Sequence, residues 1–349
     1  MTRRFLILAE GSFGPESSKT ANACIRYAQS DVVAVLDSTR AGQTAQQVLG
    51  FGGDIPVVAT FAEALALQAN ALLIGIAPAG GQFPDDWRAT VCASLRFGHD
   101  VWSGLHTMLG DDAEFAAIAS ASGATIHDLR RAPPDLEIAS GVLRDVRETI
   151  VLTVGTDCNI GKMTAQLQVR DAVRQLGHRV NFGATGQTGI LVEGRGIAVD
   201  AVVADFIAGA AERLTVEAAH DADIVLVEGQ GSIIHPAYSG VTLGLMHGSM
   251  PHAMVLCAQP SRTTVNGNPW LPIPPLLAMI RLYEQAMECV RVSPVIAIAL
   301  NTFDLSDDAA GEAVERVHAE TGLPTTDPVR YDPLPIATAI SEFHRGRVR

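Results

Sequence analysis

Cysteine, basic charge and long apolar runs are all scarce in this chain. Five cysteines (Cys24, Cys92, Cys158, Cys257, Cys289) are scattered without a CxxC spacing, so neither a disulfide framework nor a zinc site is indicated, and no metal-ligand set is predicted. Only 25 Lys and Arg stand against 38 Asp and Glu, a net charge of −13 with a pI near 5.2. That balance lacks the basic patches that nucleic acid or an anionic membrane surface requires. No stretch approaches the length of a membrane span, and Phe5 to Ala9, between Arg3-Arg4 and Glu10, is too short for a signal peptide. These absences point to a cytoplasmic protein acting on small molecules, without nucleic-acid or membrane partners; a homo-oligomer is expected. Internal repeats and low-complexity tracts are also missing.

What is present is a chain of 349 residues, 48% hydrophobic, long enough to bury the cores of two domains. It is organised around Thr149 to Arg170. Ile150, Val151, Leu152 and Val154 form a short β-branched strand, and Thr164 to Arg174 carries helix formers with apolar Leu167, Val169 and Val173. Between them, Gly155 and Gly161 let the backbone curl so that amides point inward, Lys162 adds a positive charge, and the following helix adds its dipole. This is a phosphate-binding loop, made of Gly155, Thr156, Asp157, Cys158, Asn159, Gly161, Lys162, Met163 and Thr164. It departs from the common spacing: five residues, Thr156 to Ile160, separate the glycine from Gly161-Lys162 instead of four. Met163 stands where a magnesium-binding hydroxyl is usual, and Thr164 follows, so phosphate binding is better supported than metal coordination. The Gly-Thr-Asp start resembles the loop of dethiobiotin synthetase. Cys158, close to a helix start, sits where a thiol pKa can be lowered, but loop packing is the favoured reading.

Ahead of the loop, strand-like runs (5–9, 32–36, 57–58, 71–76, 99–103) alternate with helical segments (18–29, 61–68, 87–96, 112–122), which implies a parallel sheet with helices on its faces. Asp37 ends the second strand, where a ribose-contacting acid can stand, but no GxGxxG accompanies it and a plain βαβ unit suffices. The turn Ala77-Pro78-Ala79-Gly80-Gly81 follows a strand at a ligand-binding edge and has the look of a CoA-binding Rossmann-type domain; a simple tight turn is the alternative. Arg130 to Pro134 reads as a linker. A boundary near 130 to 148 gives domains of 1–140 and 141–349.

Beyond the loop helix, Gln187 and Thr188 lie in a glycine-flanked turn after the strand 180–182, with ligand contact or a satisfied turn as the two readings. Asp200 and Asp205 are placed to meet a metal or phosphate, or to cap a helix. Ile224 to Val227 is a buried parallel strand that delivers Glu228 to the edge beside the loop; an unpartnered core carboxylate would be costly, so a structural role would need a hidden basic neighbour. His235, Tyr238 and Ser239 share the next turn, and His235 is a candidate acid–base residue. Arg262 follows a further strand and has the planar fork suited to a carboxylate or phosphate, or to an ion pair. The segment 266–275, with Trp270, reads as a shaped binding loop, followed by helices 276–290, 307–321 and 335–344 and the strand 295–300.

The blocks GTDCNIGKMT, GQTGILVEGRGIAVDAVVADFIAGA, VEGQGSIIHPAYSGVTLGLMHGS and LYEQAMECVRVSPVIAIALNT resemble a bacterial and archaeal P-loop family, long treated as a domain of unknown function, that joins a Rossmann-like N-terminal domain to a C-terminal P-loop domain. The resemblance covers nearly the whole chain and implies an α/β protein with two parallel sheets, the second like dethiobiotin synthetase. The characterised members, the DgcN type, are D-glutamate N-acetyltransferases, which implies acetyl-CoA as co-substrate and a role in D-amino-acid catabolism. The matching positions are Gly155, Gly161, Lys162 and Thr164, Glu228, and His235, Tyr238, Ser239 and His247; Thr263 to Asn268 diverge. Set beside that implication, a loop that anchors CoA phosphates needs no magnesium hydroxyl. Acetyl transfer needs a base, oxyanion donors and orientation, for which His235 or Glu228, the amides of Gly229 to Ser232, and Arg262 with Ser239, Tyr238 and Gln187 are the candidates. Two rivals stay open: an ATP/Mg-dependent ligase or kinase of the dethiobiotin synthetase type, and a non-catalytic nucleotide-binding module.

Overall fold

Alternating apolar runs and amphipathic segments give parallel strands and crossover helices in both halves of the chain, in a computed structural model that describes residues 3–15, 17–76 and 81–348. The turn 77–80 therefore lies outside the described residues. Among the described residues no helix is long and apolar enough to cross a membrane.

The first unit contains β1 (Phe5–Leu8), α1 (Lys19–Tyr27), β2 (Val32–Leu36), α2 (Ala45–Leu49), β3 (Val57–Val58), α3 (Phe61–Leu65), β4 (Ala71–Ile74), α4 (Arg88–Arg96), β5 (Asp100–Ser103), α5 (Ala113–Ser122) and β6 (Ile126–Asp128). The strands run in the order β3-β2-β1-β4-β5-β6, every pair parallel. This is the Rossmann arrangement, with the order reversing between β1 and β4. Both faces of the sheet are covered, so β1 (FLIL) and β4 (ALLI) are buried at every position. Asp37 is not free to meet a ribose: its carboxylate accepts from the amides of Phe13 and Thr39 and from the Thr39 hydroxyl. Burial would raise this carboxyl, but those hydrogen bonds outweigh it and hold the pKa below its ordinary value.

The division between units is not a single cut near 140. The first unit takes Met1–Arg131 and also Ile190–Ala201, and the second takes Ala132–Gly189 and Val202–Arg349. Leu191 is fully buried in the first unit's core, its carbonyl accepts from Arg3, and Arg130 pairs with Asp200. Asp200 is thereby a structural ion-pair partner, away from the phosphate or metal role considered for it.

The second unit contains β7 (Thr149–Gly155), α6 (Lys162–Gln175), β8 (Val180–Gly183), the start of α7 (Gln187–Glu193), α8 (Ile207–Ala219), β9 (Ile224–Val227), α9 (Ser239–Ser249), β10 (Ala253–Ala258), a hairpin of β11 (Thr264–Val265) and β12 (Asn268–Pro272), α10 (Leu276–Glu288), β13 (Val295–Leu300), α11 (Asp307–Thr321), β14 (Thr325–Thr326) and α12 (Leu334–Arg347). Its sheet order is β14-β13-β10-β7-β9-β8, again parallel throughout. β7 lies between β10 and β9, so the loop that follows it is flanked by two further strand tips. The two threonines of this buried strand are both satisfied: Thr153 accepts the Gly229 amide and Thr149 pairs with His344. Gln187 and Thr188 open a helix here, because α7 begins where a turn was expected.

Candidate functional site

The loop after β7 has the backbone its sequence asks for. Asn159 and Gly161 take positive φ values of 54° and 91°, turning the chain into a concave run of amides that ends at the start of α6. The first amides of that helix have no helical acceptor, and its dipole adds positive potential there. Lys162 is 7% exposed, and its Nζ donates to the Asp157 carbonyl at 2.7 Å. Met163 and Thr164 occupy the first turn of α6.

Asp157 is the hub of the loop. It is fully buried. Its Oδ1 accepts from the Cys158 amide at 2.7 Å, and its Oδ2 accepts from Arg262 Nη1 at 3.0 Å and from the Asn266 amide at 2.7 Å. Arg262 Nη1 also donates to the Cys158 carbonyl at 2.8 Å. Arg262 and the β11–β12 hairpin thus brace the loop from the β10 side, and the nitrogen Nη1 is already committed to protein. Cys158 is a packed loop residue and not an activated thiol: burial, reinforced by Asp157, raises its pKa, and Lys162 only partly opposes this.

On the β9 side, one ligating atom each from His235, Cys158 and Asp157 lie within 4.8 Å of one another. His235 is buried, stands 4.5 Å from the Tyr238 ring, and accepts the Ala237 amide at Nδ1 at 3.1 Å. In the neutral ring the proton is then at Nε2, so His235 offers a donor there; a base role at that atom is not supported by this tautomer. Tyr238 is 48% exposed, and Ser239 begins α9. His247 sits further along α9 with Nε2 on the Ala286 carbonyl, a helix-to-helix tie.

Glu228 is 4% exposed. Its Oε2 accepts from the amides of Thr185 and Gly186 at 2.9 and 3.1 Å, while its carbonyl accepts from the Thr185 hydroxyl. These amides lead into α7, where Gln187 lies, and they hold one oxygen of the carboxylate in place. The proposed amide donors are also partly spent: Gly229 donates to Thr153 Oγ1 at 2.9 Å. A side chain at 229 would place its Cβ 1.8 Å from the Thr153 carbonyl oxygen, which is why only glycine fits.

Sequence reasoning missed Tyr283. It lies on α10, fully buried, with its hydroxyl donating to the Gly155 carbonyl at 2.7 Å and accepting from the Ile233 amide at 3.0 Å. It ties the start of the phosphate loop to the segment that carries His235. Burial raises its pKa, so the hydroxyl stays protonated. A lone tyrosine on an amphipathic helix gives no sign of such a role.

The His235, Cys158 and Asp157 atoms are close enough to share an ion. Both Asp157 oxygens are nevertheless occupied by N–H donors, and Lys162 and Arg262 bring two positive charges to the same loop, a setting that suits an anion. A two-unit α/β chain whose second unit carries a braced phosphate loop is a P-loop protein. Residues 137–336 match the P-loop domain of unknown function DUF1611, and residues 38–132 match its Rossmann-like N-terminal domain; the chain belongs to this family. It is 40% identical over 274 residues to a D-glutamate N-acetyltransferase of Tritonibacter scottomollicae, covering 78% of this chain and 81% of that protein. A D-glutamate N-acetyltransferase of a Pseudoalteromonas species is 36% identical over 269 residues, with 77% and 80% covered. The crystal structure of a DUF1611 family protein from Anabaena variabilis superposes with a TM-score of 0.93 at 40% identity, over 97% of this chain and 99% of that one.

Proposed function

We propose that this chain moves an acetyl group from acetyl-CoA to the amine of D-glutamate. The observation that carries the reading is the joining of a phosphate loop to His235: the Asp157–Cys158 segment that shapes the anion cradle is the segment beside which His235 stands, within 4.8 Å. Relatives of this length and identity named D-glutamate N-acetyltransferase support it.

In this reading the loop amides from Asn159 to Thr164, with Lys162, hold CoA phosphates, the Cys158 amide being taken by Asp157. The acceptor amine attacks the thioester carbonyl, and His235 Nε2–H stabilises the developing oxyanion. The C–S bond then breaks; one of the ammonium protons ends on the CoA sulfur and the other in solvent. Arg262 meets an acceptor carboxylate through Nη2 and Nε, since Nη1 serves the loop, with Tyr238, Ser239 and Gln187 bordering the acceptor. Glu228 acts through the start of α7, as a positioning residue.

The test mixes purified protein with acetyl-CoA and D-glutamate and follows free thiol, with and without ATP and magnesium. Thiol release without ATP is the expected result. Turnover that requires ATP would replace this reading with a ligase, and no turnover in either arm would leave a binding module. Lys162→Ala is expected to weaken acetyl-CoA affinity, and unchanged affinity would count against the cofactor's placement.

A further inference from the structure

The tip of β13 carries a group of side chains that the acetyl-transfer reading leaves unused. β10 and β13 are paired neighbours, with Ala258 opposite Leu300, so Gln259 and Asn301 leave the sheet side by side. Asn301 reaches the phosphate loop: a Cβ added to Gly161 would stand 3.5 Å from its Nδ2. The turn that follows is held rigidly from behind. Asp327, 3% exposed, accepts from the Thr302 amide and hydroxyl at 2.9 and 2.6 Å. Arg330 Nη2 donates to the carbonyls of Thr302 and Leu305, both at 2.8 Å.

What this braced turn presents is chemically specific. Phe303 leaves its ring 66% exposed. Asp304 is oriented by Ser261 Oγ at 2.6 Å and by Gln259 Nε2 at 3.0 Å. Burial would raise the Asp304 carboxyl, but those two hydrogen bonds lower it below its ordinary value, so it is a standing acceptor at neutral pH. Gln259 is 8% exposed, and its Oε1 is buried with no hydrogen-bond partner among the described residues. A buried carbonyl without a donor is costly to keep. An aromatic face, an ionised carboxylate and an unmet carbonyl acceptor together suit a flat heterocycle that carries an exocyclic amino group.

We infer that Asn301, Phe303, Asp304 and Gln259 form the subsite for the adenine ring of the ligand whose phosphates the Gly155–Lys162 loop holds. The ring stacks on Phe303, the 6-amino group donates to Asp304 and, after a small side-chain adjustment, to Gln259 Oε1, and Asn301 Nδ2 donates to a ring nitrogen. That the adenine belongs to coenzyme A rests on the acetyl-transfer reading; ATP shares the same ring and phosphates.

The test compares acetyl-CoA with its 6-oxo analogue, in which hypoxanthine replaces adenine, on the full-length protein and on Asp304→Asn. The wild type is expected to favour acetyl-CoA by about tenfold or more in kcat/KM, expressed in KM, since a site built for an amino group rejects an oxo group. Asp304→Asn, whose amide donates to a 6-oxo group, is expected to lose that preference or reverse it. Equal ratios in the two proteins would overturn the subsite while leaving acetyl transfer standing. Phe303→Ala, an exposed change without folding cost, is expected to raise KM for both compounds about fivefold or more by removing a stacking face; an unchanged KM would also overturn it. Should no thiol appear from acetyl-CoA at all, acetyl transfer has failed, and calorimetric binding of ADP against IDP decides the subsite. A preference for ADP that Asp304→Asn abolishes supports it, and indifference overturns it.

Discussion

Arg262 stands 3.0 Å from Asp157, with the carboxylate side chain wholly buried and the guanidinium 21% exposed. Removing the cation leaves a buried charge with only amide partners. Arg262→Ala is expected to cost about 1–3 kcal/mol, toward the low end because the Cys158 and Asn266 amides remain. Arg262→Lys should recover part of this, limited by the lost fork geometry. Urea unfolding of the three proteins checks the order; a neutral Arg262→Ala would show that the amides alone satisfy Asp157.

Gly229 and Gly240 offer a contrast within one short segment. At 229 a methyl group meets backbone, 1.8 Å from the Thr153 oxygen, whereas at 240 nothing lies within 4 Å. Gly229→Ala is expected to displace β9 from β7 and destabilise by about 3 kcal/mol or more. Gly240→Ala, near the start of α9, is expected to be neutral or to stabilise by about 0.5 kcal/mol through the unfolded state. Thermal midpoints of the two variants separate these outcomes.

Tyr283→Phe keeps the buried ring and deletes one oxygen. The Gly155 carbonyl and the Ile233 amide both lose their partner, so a loss of about 2–3 kcal/mol in stability is expected. The segment carrying His235 would also lose its tie to the phosphate loop, and kcat for thiol release is expected to fall about tenfold or more, consistent with a misplaced catalytic group. A stability loss with kcat intact would limit Tyr283 to packing.

Acid sensitivity is expected from His252. Burial, with Arg291 and Arg347 adding to it, pushes this imidazole down from 6.5 to about 3, and its Nδ1 accepts the Ile150 amide at the base of β7. Between those two values the unfolded chain binds a proton that the folded chain refuses. Its contribution to stability is therefore whole above pH 6.5 and declines by about 1 kcal/mol per pH unit as the pH falls toward 3. His344 is lowered in the same direction, so the difference between wild type and His252→Gln isolates the effect. Denaturation profiles at pH 7.5, 6 and 5 should converge toward acid; parallel profiles would remove His252 from the account.

The elements legible in the sequence were those with local causes. α11 spans Asp307–Thr321, as its Ser306 cap and following Gly322 dictate, and β13 matches its apolar run at Val295–Leu300. The phosphate loop was legible because glycines, lysine and helix start lie next to one another in the chain. What was not legible depends on distant partners. Asp157 finds Arg262 and Asn266 more than a hundred positions away, Glu228 takes two backbone amides that no side-chain pattern encodes, and Tyr283 earns its place only through the tertiary path of α10. For Cys158, proximity to a helix start is visible in sequence while burial beside a carboxylate is not, and it is the burial that bears out the packing reading.

The return of Ile190–Ala201 to the first unit bears on how the chain is made. A ribosome that has released the first eleven named elements has not yet supplied Leu191 for their core or Asp200 for Arg130. The N-terminal sheet must wait, incomplete, while the phosphate loop and its helix emerge, so the two halves cannot mature strictly one after the other. Stopping synthesis at the proline-rich linker would yield a fragment lacking part of its own interior.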